Sequence, residues 1–576
     1  METIVYRINC PSSHQKLLHF EASFPATQEQ VHLHISAWRP GRYELANFAK
    51  NIKNFAVFDD QMKPCAFRKI NKDTWEVDTS TSTKITIRYA YYSAELNAGS
   101  TFIDDTQIYI NPVNCIIYSA ETKELPFELN IEAPNNWIKM SSILVEDGVF
   151  RAINFDELAD SPLLISKNLQ SASYQIKDTT FTIWVNNHKP IDWRKIIEDF
   201  SKFTKAQIET FGEFPSKTFE FLIHCLPYTA YHGVEHLKST VITLGPTPKV
   251  FGEQYKELLG IASHELYHVY NVKSIRPIEM LPYDFKQENY SSLGYVYEGI
   301  TTYMGDLFLL KSGVFTLTDY LKELSEQLQK HFDNPGRFSY SVAESSFDTW
   351  LDGYVPGVPG RKVSIYTEGC LLAFCADIMI RKASNNKANL DEVMKRLYYD
   401  FALKNKGITE KDYRNELENI SGASFKDFFD HYINGTHSLE GILVDSLDYL
   451  GLEIKQTPSK LYAEGRLGIK TIRKNEKEII SAIFPGSPGE IGGLAIHDEI
   501  ISVNKTPINN NLDLWLNYFE DDIKSFEIFR EGKSIEKSLP EVNRFFFQTH
   551  EIEVKKSLIP SQQKAISAWA LEGVKE

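Results

Sequence analysis

Ile261–Tyr270 reads IASHELYHVY, and within it His264, Glu265 and His268 spell HExxH. Three readings compete for this stretch: a zinc site, a chance match and an ordinary amphipathic helix. On a helix, residues four apart project from one face, one turn apart, so both imidazoles can meet a single ion. Two neutral ring nitrogens suit a tetrahedral Zn²⁺ at about 2.0–2.1 Å, and Glu265 then stands where a general base is needed. Chance is not negligible. The 15 His and 77 acidic residues, placed at random in 576, give about 0.05 such matches. The motif therefore needs a third ligand close by.

An irregular segment follows, SIRPIEMLPYDFKQENYSS, broken by Pro277 and Pro282, and then SLGYVYEGITTYMGDLFLLK resumes helical spacing. Glu298 lies in its apolar run YVYEGITTY. A buried, unpaired carboxylate costs several kcal/mol, so Glu298 calls for a cation or donors. A buried salt bridge or a solvent-facing charge would also account for it, but the Tyr and Gly neighbours disfavour solvent. With His264 and His268 it completes the His₂Glu set of a catalytic zinc, the fourth position being left to water.

Composition is that of a multidomain soluble globular chain, with 42% hydrophobic and 24% charged residues over 576 positions. A net charge of −15 argues against nucleic acid as partner, because phosphate neutralisation needs clustered Lys and Arg. Six cysteines without a CxxC pair are too few for a disulfide scaffold and suit a reduced compartment. The longest apolar run, GCLLAFCADIMI, contains Asp377 and is too short for a bilayer, so no membrane span is expected. METIVYRINCPSSHQ lacks a basic stretch leading into an apolar one. The expected location is cytoplasmic, with periplasmic or secreted locations open if a leader has been removed.

The expected fold class is multidomain α+β. Residues 1–170 show short alternating runs such as QVHLHISAW and KITIRYAYY and read as an antiparallel, sandwich-like β domain that shapes or supports a cleft. WRPGRYEL, from Trp38 to Leu45, is a tight turn on Pro40-Gly41. Residues 171–312 form the expected catalytic domain. They open with a helix ending near Gly212 and a strand, FEFLIHCLPY, and continue with TAYHGVEHLKSTVITLG, a second strand-like segment. Gly233, Glu235 and His236 in succession are odd for a core strand, and a surface edge strand is an equal reading. Residues 313–449 are mainly helical, and a Gly/Pro-rich loop, GYVPGVPGRKVSIY, leads to Tyr366. Loops often present active-site side chains, although a lone Tyr is more often packing. Residues 450–545 read as a small domain of short strands. Residues 546–576 form an extension whose AISAWALEG run can dock as a helix.

HELYHVYNVKSIRP, YEGITTYMGDLFL and GVEHLKS together resemble the glycyl aminopeptidase family of zinc metallopeptidases, and WRPGRYELANFAKNI looks like that family's N-terminal signature. GSPGEIGGLAIHDEIISVN resembles a PDZ stretch, departing from the usual pattern at Gly489 and His497, and RLGI (466–469) resembles a loop that binds a C-terminal carboxylate. The resemblance implies an N-terminal β domain, a thermolysin-like catalytic domain with a helical part, and a C-terminal PDZ domain. It implies one zinc ion on His264, His268 and Glu298, with Glu265 as general base. It places the substrate's free N-terminus at Glu235 within the Gly233–His236 segment, and gives Tyr366 the role of stabilising the oxyanion. The expected substrate is a peptide with a free N-terminus, Gly or Ala first, and a peptide C-terminus is the expected partner of the PDZ domain. Two alternatives stand beside this reading. One is a zinc endopeptidase, in which Glu235 would not serve an ammonium. The other is a PDZ peptide-binding scaffold with a vestigial metal site.

Overall fold

A computed structural model describes residues 2–26, 28–355, 357–520 and 522–570. Their contacts divide them into two compact units. One holds 2–320, 335–450 and 559–570, and the other 321–334 and 451–558.

The first unit opens with β-structure. A seven-stranded sheet and two four-stranded sheets enclose an apolar core that includes Tyr6, Phe20, Leu33, Ile87, Phe127 and Phe150. Alternation in the sequence directs this packing. In Phe127–Ile131 and in Leu17–Pro25 every second side chain is buried. Beyond strand Gln30–His34 the chain turns at Arg39–Arg42, which face each other across an isolated bridge. The turn is anchored from both sides. Trp38 is fully buried, donates its indole N–H to the Asp284 carbonyl at 2.7 Å, and meets Trp350 edge-on at 5.0 Å.

Next comes a five-stranded mixed sheet in the order Leu169–Ile176, Thr179–Asn186, Thr218–Cys225, Ser239–Gly245, Ala230–Glu235. Its three central strands are parallel and its two edges antiparallel. The helix Trp193–Phe211 covers one face, capped by the Asp192 side chain and ended by Gly212 at φ +91°. Where the sequence suggested one strand-like segment, TAYHGVEHLKSTVITLG is a hairpin. Its strands are Ala230–Glu235 and Ser239–Gly245, paired Gly233 to Ile242 and Glu235 to Thr240. The turn between them carries neither Gly nor Pro, so nothing in the local sequence announced it.

The helical part packs on this sheet. The helix Tyr255–Tyr267 carries the HExxH motif, and a π-helical turn, Tyr295–Ile300, runs on into the α-helix Thr301–Lys311. The helix Ile365–Ser384 crosses the π turn at a pair of glycines. A Cβ on Gly299 would stand 2.4 Å from the Gly369 Cα, so only two bare backbones fit there. The helix Pro560–Ala570 belongs to this unit as well, with the Trp569 indole donating to the Tyr303 hydroxyl at 2.9 Å. Leu571 to Gly573 of the AISAWALEG run lie outside the described residues.

The second unit is built on an antiparallel sheet in the order Ile469–Lys474, Lys477–Ile483, Glu499–Val503, Lys524–Arg530, Lys533–Leu539. Ile469, Ile480, Val503, Leu516 and Phe526 form its core. Gly489 and His497, the two departures from the PDZ pattern, differ physically. A Cβ on Gly489 would lie 2.4 Å from Ile469 Cγ2, so the site is already full. His497 has φ +75°, a conformation that glycine adopts at no steric cost. His497→Gly should therefore stabilise this unit by about 1 kcal/mol. Hydrogen exchange of the Glu499–Val503 amides in the full chain should slow by about fivefold; unchanged or faster exchange would contradict this reading.

Candidate active site

The motif helix and the helix after Glu298 approach closely because Gly305 lies between them. A Cβ there would stand 2.9 Å from the His264 Cα. Ser263 Oγ donates to the Gly305 carbonyl at 2.6 Å, and Gln207 Nε2 donates to the Ser263 carbonyl at 2.9 Å. This contact sets His264 opposite Glu298. His264 Nε2 and His268 Nε2 are 3.0 Å apart, His268 Nε2 is 3.2 Å from Glu298 Oε2, and His264 Nε2 is 3.8 Å from the same oxygen. A tetrahedral ion with ligands at about 2.0–2.1 Å sets its ligand atoms about 3.3 Å apart. The three observed separations bracket that value, so the donor set fits a zinc-sized ion.

Each donor is held by something behind it. His268 Nδ1 lies 3.0 Å from the Asn271 carbonyl, which leaves Nε2 facing the cluster. The Asn271 amide donates to the Val296 carbonyl at 2.8 Å and to Thr301 Oγ1 at 3.0 Å, tying the end of the motif helix to the π turn. Val272, next in the chain, is a buried β-branched residue at φ +84°, so the turn holding the Asn271 carbonyl is strained. Glu298 Oε1 accepts from the Tyr43 hydroxyl at 2.9 Å, which turns Oε2 toward the imidazoles.

Two further carboxylates complete the cluster. Glu265 and Glu235 are each about 5% exposed, and each has an atom within 4.8 Å of the other and of His268. Glu265 Oε2 and Glu235 Oε1 are buried with no hydrogen-bond partner among the described residues. Glycines admit both. A Cβ on Gly233 would fall 2.0 Å from Glu265 Oε1, and one on Gly41, at φ +79°, would fall 2.4 Å from Glu235 Oε2.

The electrostatics follow from burial. Burial pushes the Glu265 carboxyl well above its usual range; His268 opposes the shift, and Glu235 and Glu298 add to it. Burial, with His268, pushes His264 well below its usual value and keeps it neutral, the form that binds a metal. Burial alone would lower His268 too, but the Glu298 carboxylate, followed by Glu235 and Glu265, takes it up to about 10. Three carboxylates draw positive charge to one point.

Tyr366 stands in the first turn of the helix Ile365–Ser384, and not at the end of a loop as the Gly/Pro-rich run suggested. Ser364 caps that helix by accepting from the Thr367 amide. The Tyr366 hydroxyl shares a hydrogen bond with Tyr354, whose oxygen also accepts from the Tyr43 amide at 3.2 Å. Burial, then Glu298, raises both phenols, Tyr354 to about 12, so both keep their protons as donors. His236 is turned out of the cluster. Its Nδ1 lies 3.1 Å from Asp160 Oδ1, which also accepts from Lys273 Nζ at 2.7 Å, while Asp160 Oδ2 accepts from the Leu237 amide at 2.8 Å. Asp160 thus pins the GVEH turn to the chain just beyond the HExxH helix.

The structure brings His264, Glu265, His268, Glu298, Glu235 and Gly233 together. It adds Arg39, Gly41, Tyr43, Asn271 and Tyr354, which sequence reasoning did not single out. The one signal pointing to the first three was the concentration of Arg and Tyr around a Pro-Gly turn in a β domain.

An HExxH helix facing a buried glutamate across such a donor set defines a metallopeptidase-type site. Residues 5–167 match the family model for the M61 peptidase N-terminal domain, and residues 257–372 match that for M61 glycyl aminopeptidase. Over these residues the chain matches the M61 glycyl aminopeptidase family, and the protein is a peptidase. The crystal structure of an aminopeptidase N family protein from Idiomarina loihiensis shares the fold. Its TM-score is 0.89 at 24% identity, over 98% of this chain and 100% of that one. An M1 zinc metallopeptidase from Deinococcus radiodurans aligns with a TM-score of 0.48 at 11% identity, over 76% of this chain and 94% of that one. No curated protein matches the chain. No helix among the described residues is long and apolar enough to cross a membrane.

Lys273 is wholly buried, so removing its counter-charge is costly. Asp160→Asn should destabilise the protein by about 3–5 kcal/mol in urea unfolding. Burial raises the Asp160 carboxyl, but Lys273 and then His236 outweigh it and hold it well below its usual range. A depressed folded value means stability fully present above the unfolded value of about 3.9 and lost progressively as pH falls from there through the lower folded value. Wild-type stability should fall in that acid window and Asp160→Asn should lack this component. Equal acid slopes would contradict the assignment.

Proposed function

We propose that the protein is a zinc aminopeptidase that releases the first residue of peptides with a free N-terminus. The observation that carries this reading is Glu235: a buried carboxylate beside the His₂Glu donor set but not in it, with Oε1 unpartnered. An N-terminal ammonium is the cation that satisfies it, and an internal peptide bond has no charge to offer. The preference for Gly or Ala as first residue rests on the family likeness.

In this proposal His264, His268 and Glu298 hold the zinc. When bound, the ion supplies Lewis-acid polarisation of the scissile carbonyl and lowers the pKa of water. Glu265 takes a proton from the attacking water on a carboxylate oxygen and returns it to the leaving nitrogen. Glu235 fixes the ammonium and with it the register of the first peptide bond. Tyr366, kept protonated by burial, donates toward the carbonyl oxygen as negative charge develops there. The second unit is proposed as a PDZ domain that receives a peptide C-terminus. Its edge strand Ile469–Lys474, which directly follows the RLGI loop, supports strand addition.

Glu265→Gln should abolish turnover of alanyl p-nitroanilide while zinc stays bound at one ion per chain; retained turnover would sink the mechanism. Tyr366→Phe should lower kcat by about 10²–10³-fold, the scale of one oxyanion donor. Glu235→Ala should lower kcat/KM for free-amine peptides by about 10²-fold or more, with N-acetylated peptides left uncut by either form. Cleavage of N-acetylated peptides at a rate indifferent to Glu235 would make the protein an endopeptidase. Absence of bound zinc after loading would favour the scaffold reading.

A further inference from the structure

A cavity of about 430 Å³ opens in the β domain, with Arg39, Arg42, Lys50 and Gly99 among its wall residues, together with two carboxylates, Glu44 and Glu95. Arg39 is 5% exposed. Its guanidinium reaches the neighbouring Pro40 carbonyl at 3.3 Å and His232 Nε2 at 3.5 Å, both long for a hydrogen bond. No carboxylate among the described residues is in direct contact with it, although the Glu235 carboxylate, acting from further off, is the charge that most opposes the cost of its burial. His232 is a neutral neighbour, since burial, then Arg39 and Arg42, push it down to about 3. The wall is fitted to the guanidinium all the same. A Cβ on Gly99 would stand 2.2 Å from Arg39 Cζ, and Asn114 holds the Gly99 carbonyl at 2.8 Å. Arg42 in the same wall is already served, pairing with Glu44 and lying over the Tyr354 ring at 4.5 Å.

A buried guanidinium whose direct contacts are both long has N–H donors left to satisfy, and a fork of N–H donors matches a carboxylate. Position adds the second half of the argument. Arg39 and Arg42 flank the turn whose Gly41 lies against Glu235, and His232 stands on the same strand as Glu235. A carboxylate on Arg39 and an ammonium on Glu235 would therefore sit about the same tight turn, within the compass of one short peptide.

We propose that this cavity is a carboxylate-binding subsite which, with Glu235, favours peptides that carry a carboxylate close to their N-terminus. The carboxylate can be the C-terminus of a di- or tripeptide or the side chain of an acidic residue. The proposal rests on the aminopeptidase reading, so its test needs a readout that survives if that reading fails.

The test uses the zinc-loaded full chain and matched pairs. Ala-Ala against Ala-Ala-amide probes the terminal carboxylate, and Glu-Ala-amide against Gln-Ala-amide probes the side chain. In at least one pair the carboxylate member should have a KM at least about tenfold lower. Arg39→Met should raise that KM at least tenfold more than the KM of its neutral partner, and Arg39→Lys should recover part of the difference. Equal treatment of both members in both pairs by wild type overturns the proposal. So does Arg39→Met slowing both members alike, which would make Arg39 a charge balance for Glu235 or a folding element. Calorimetry of the same four peptides on Glu265→Gln gives the independent readout. Tighter binding of a carboxylate member, lost in Arg39→Met, supports the subsite even if nothing is hydrolysed. Equal binding rejects it whatever the turnover.

Discussion

Everything in the first unit is arranged around one unfavourable act, the burial of three carboxylates, Glu235, Glu265 and Glu298, against two imidazoles. Like charges so close, out of water, repel strongly, and each also loses its hydration. The arrangement is tolerable only with positive charge at its centre, and the carboxylates accordingly raise His268 against the effect of its burial. In the proposed reading a divalent ion on His264, His268 and Glu298 would answer that demand better than one proton, and an ammonium on Glu235 would answer what remains. The proposed chemistry and the proposed specificity are two responses to the same electrostatic debt.

Bringing the groups so close takes glycine wherever backbones must nearly touch. Gly305 lets the motif helix meet the helix after Glu298, Gly299 and Gly369 let two helices cross at bare backbone, and Gly233 and Gly41 make room for Glu265 and Glu235. The β domain supplies parts of the site as well as support. Tyr43 orients Glu298, Gly41 backs Glu235, and Asp160 holds the elements carrying His236 and Lys273.

The readable part of the site was the part written locally. His264 and His268 are one helical turn apart, and the apolar setting of Glu298 announced a buried carboxylate; both patterns fit in a short window. The fold class was legible from alternating runs followed by helical spacing. The hairpin at Ala230–Gly245 was hidden because its turn residues, His236, Leu237 and Lys238, carry no turn signature. Tyr366 was read from the Gly/Pro run before it, whereas Ser364, an ordinary N-cap, was the signal that a helix starts there. Tyr43 and Glu298 are 255 positions apart, and Arg39 and His232 are 193 apart. Partnerships at such separation leave no period or spacing, and only the packed chain reveals them.

Anomalous diffraction at the zinc edge from crystals of the zinc-loaded protein tests the central claim most directly. The account predicts one peak per chain within about 2.0–2.2 Å of His264 Nε2, His268 Nε2 and Glu298 Oε2, with Glu235 and Glu265 outside bonding distance. A peak seated instead among Glu235, Glu265 and His268, or no peak at all, would contradict it.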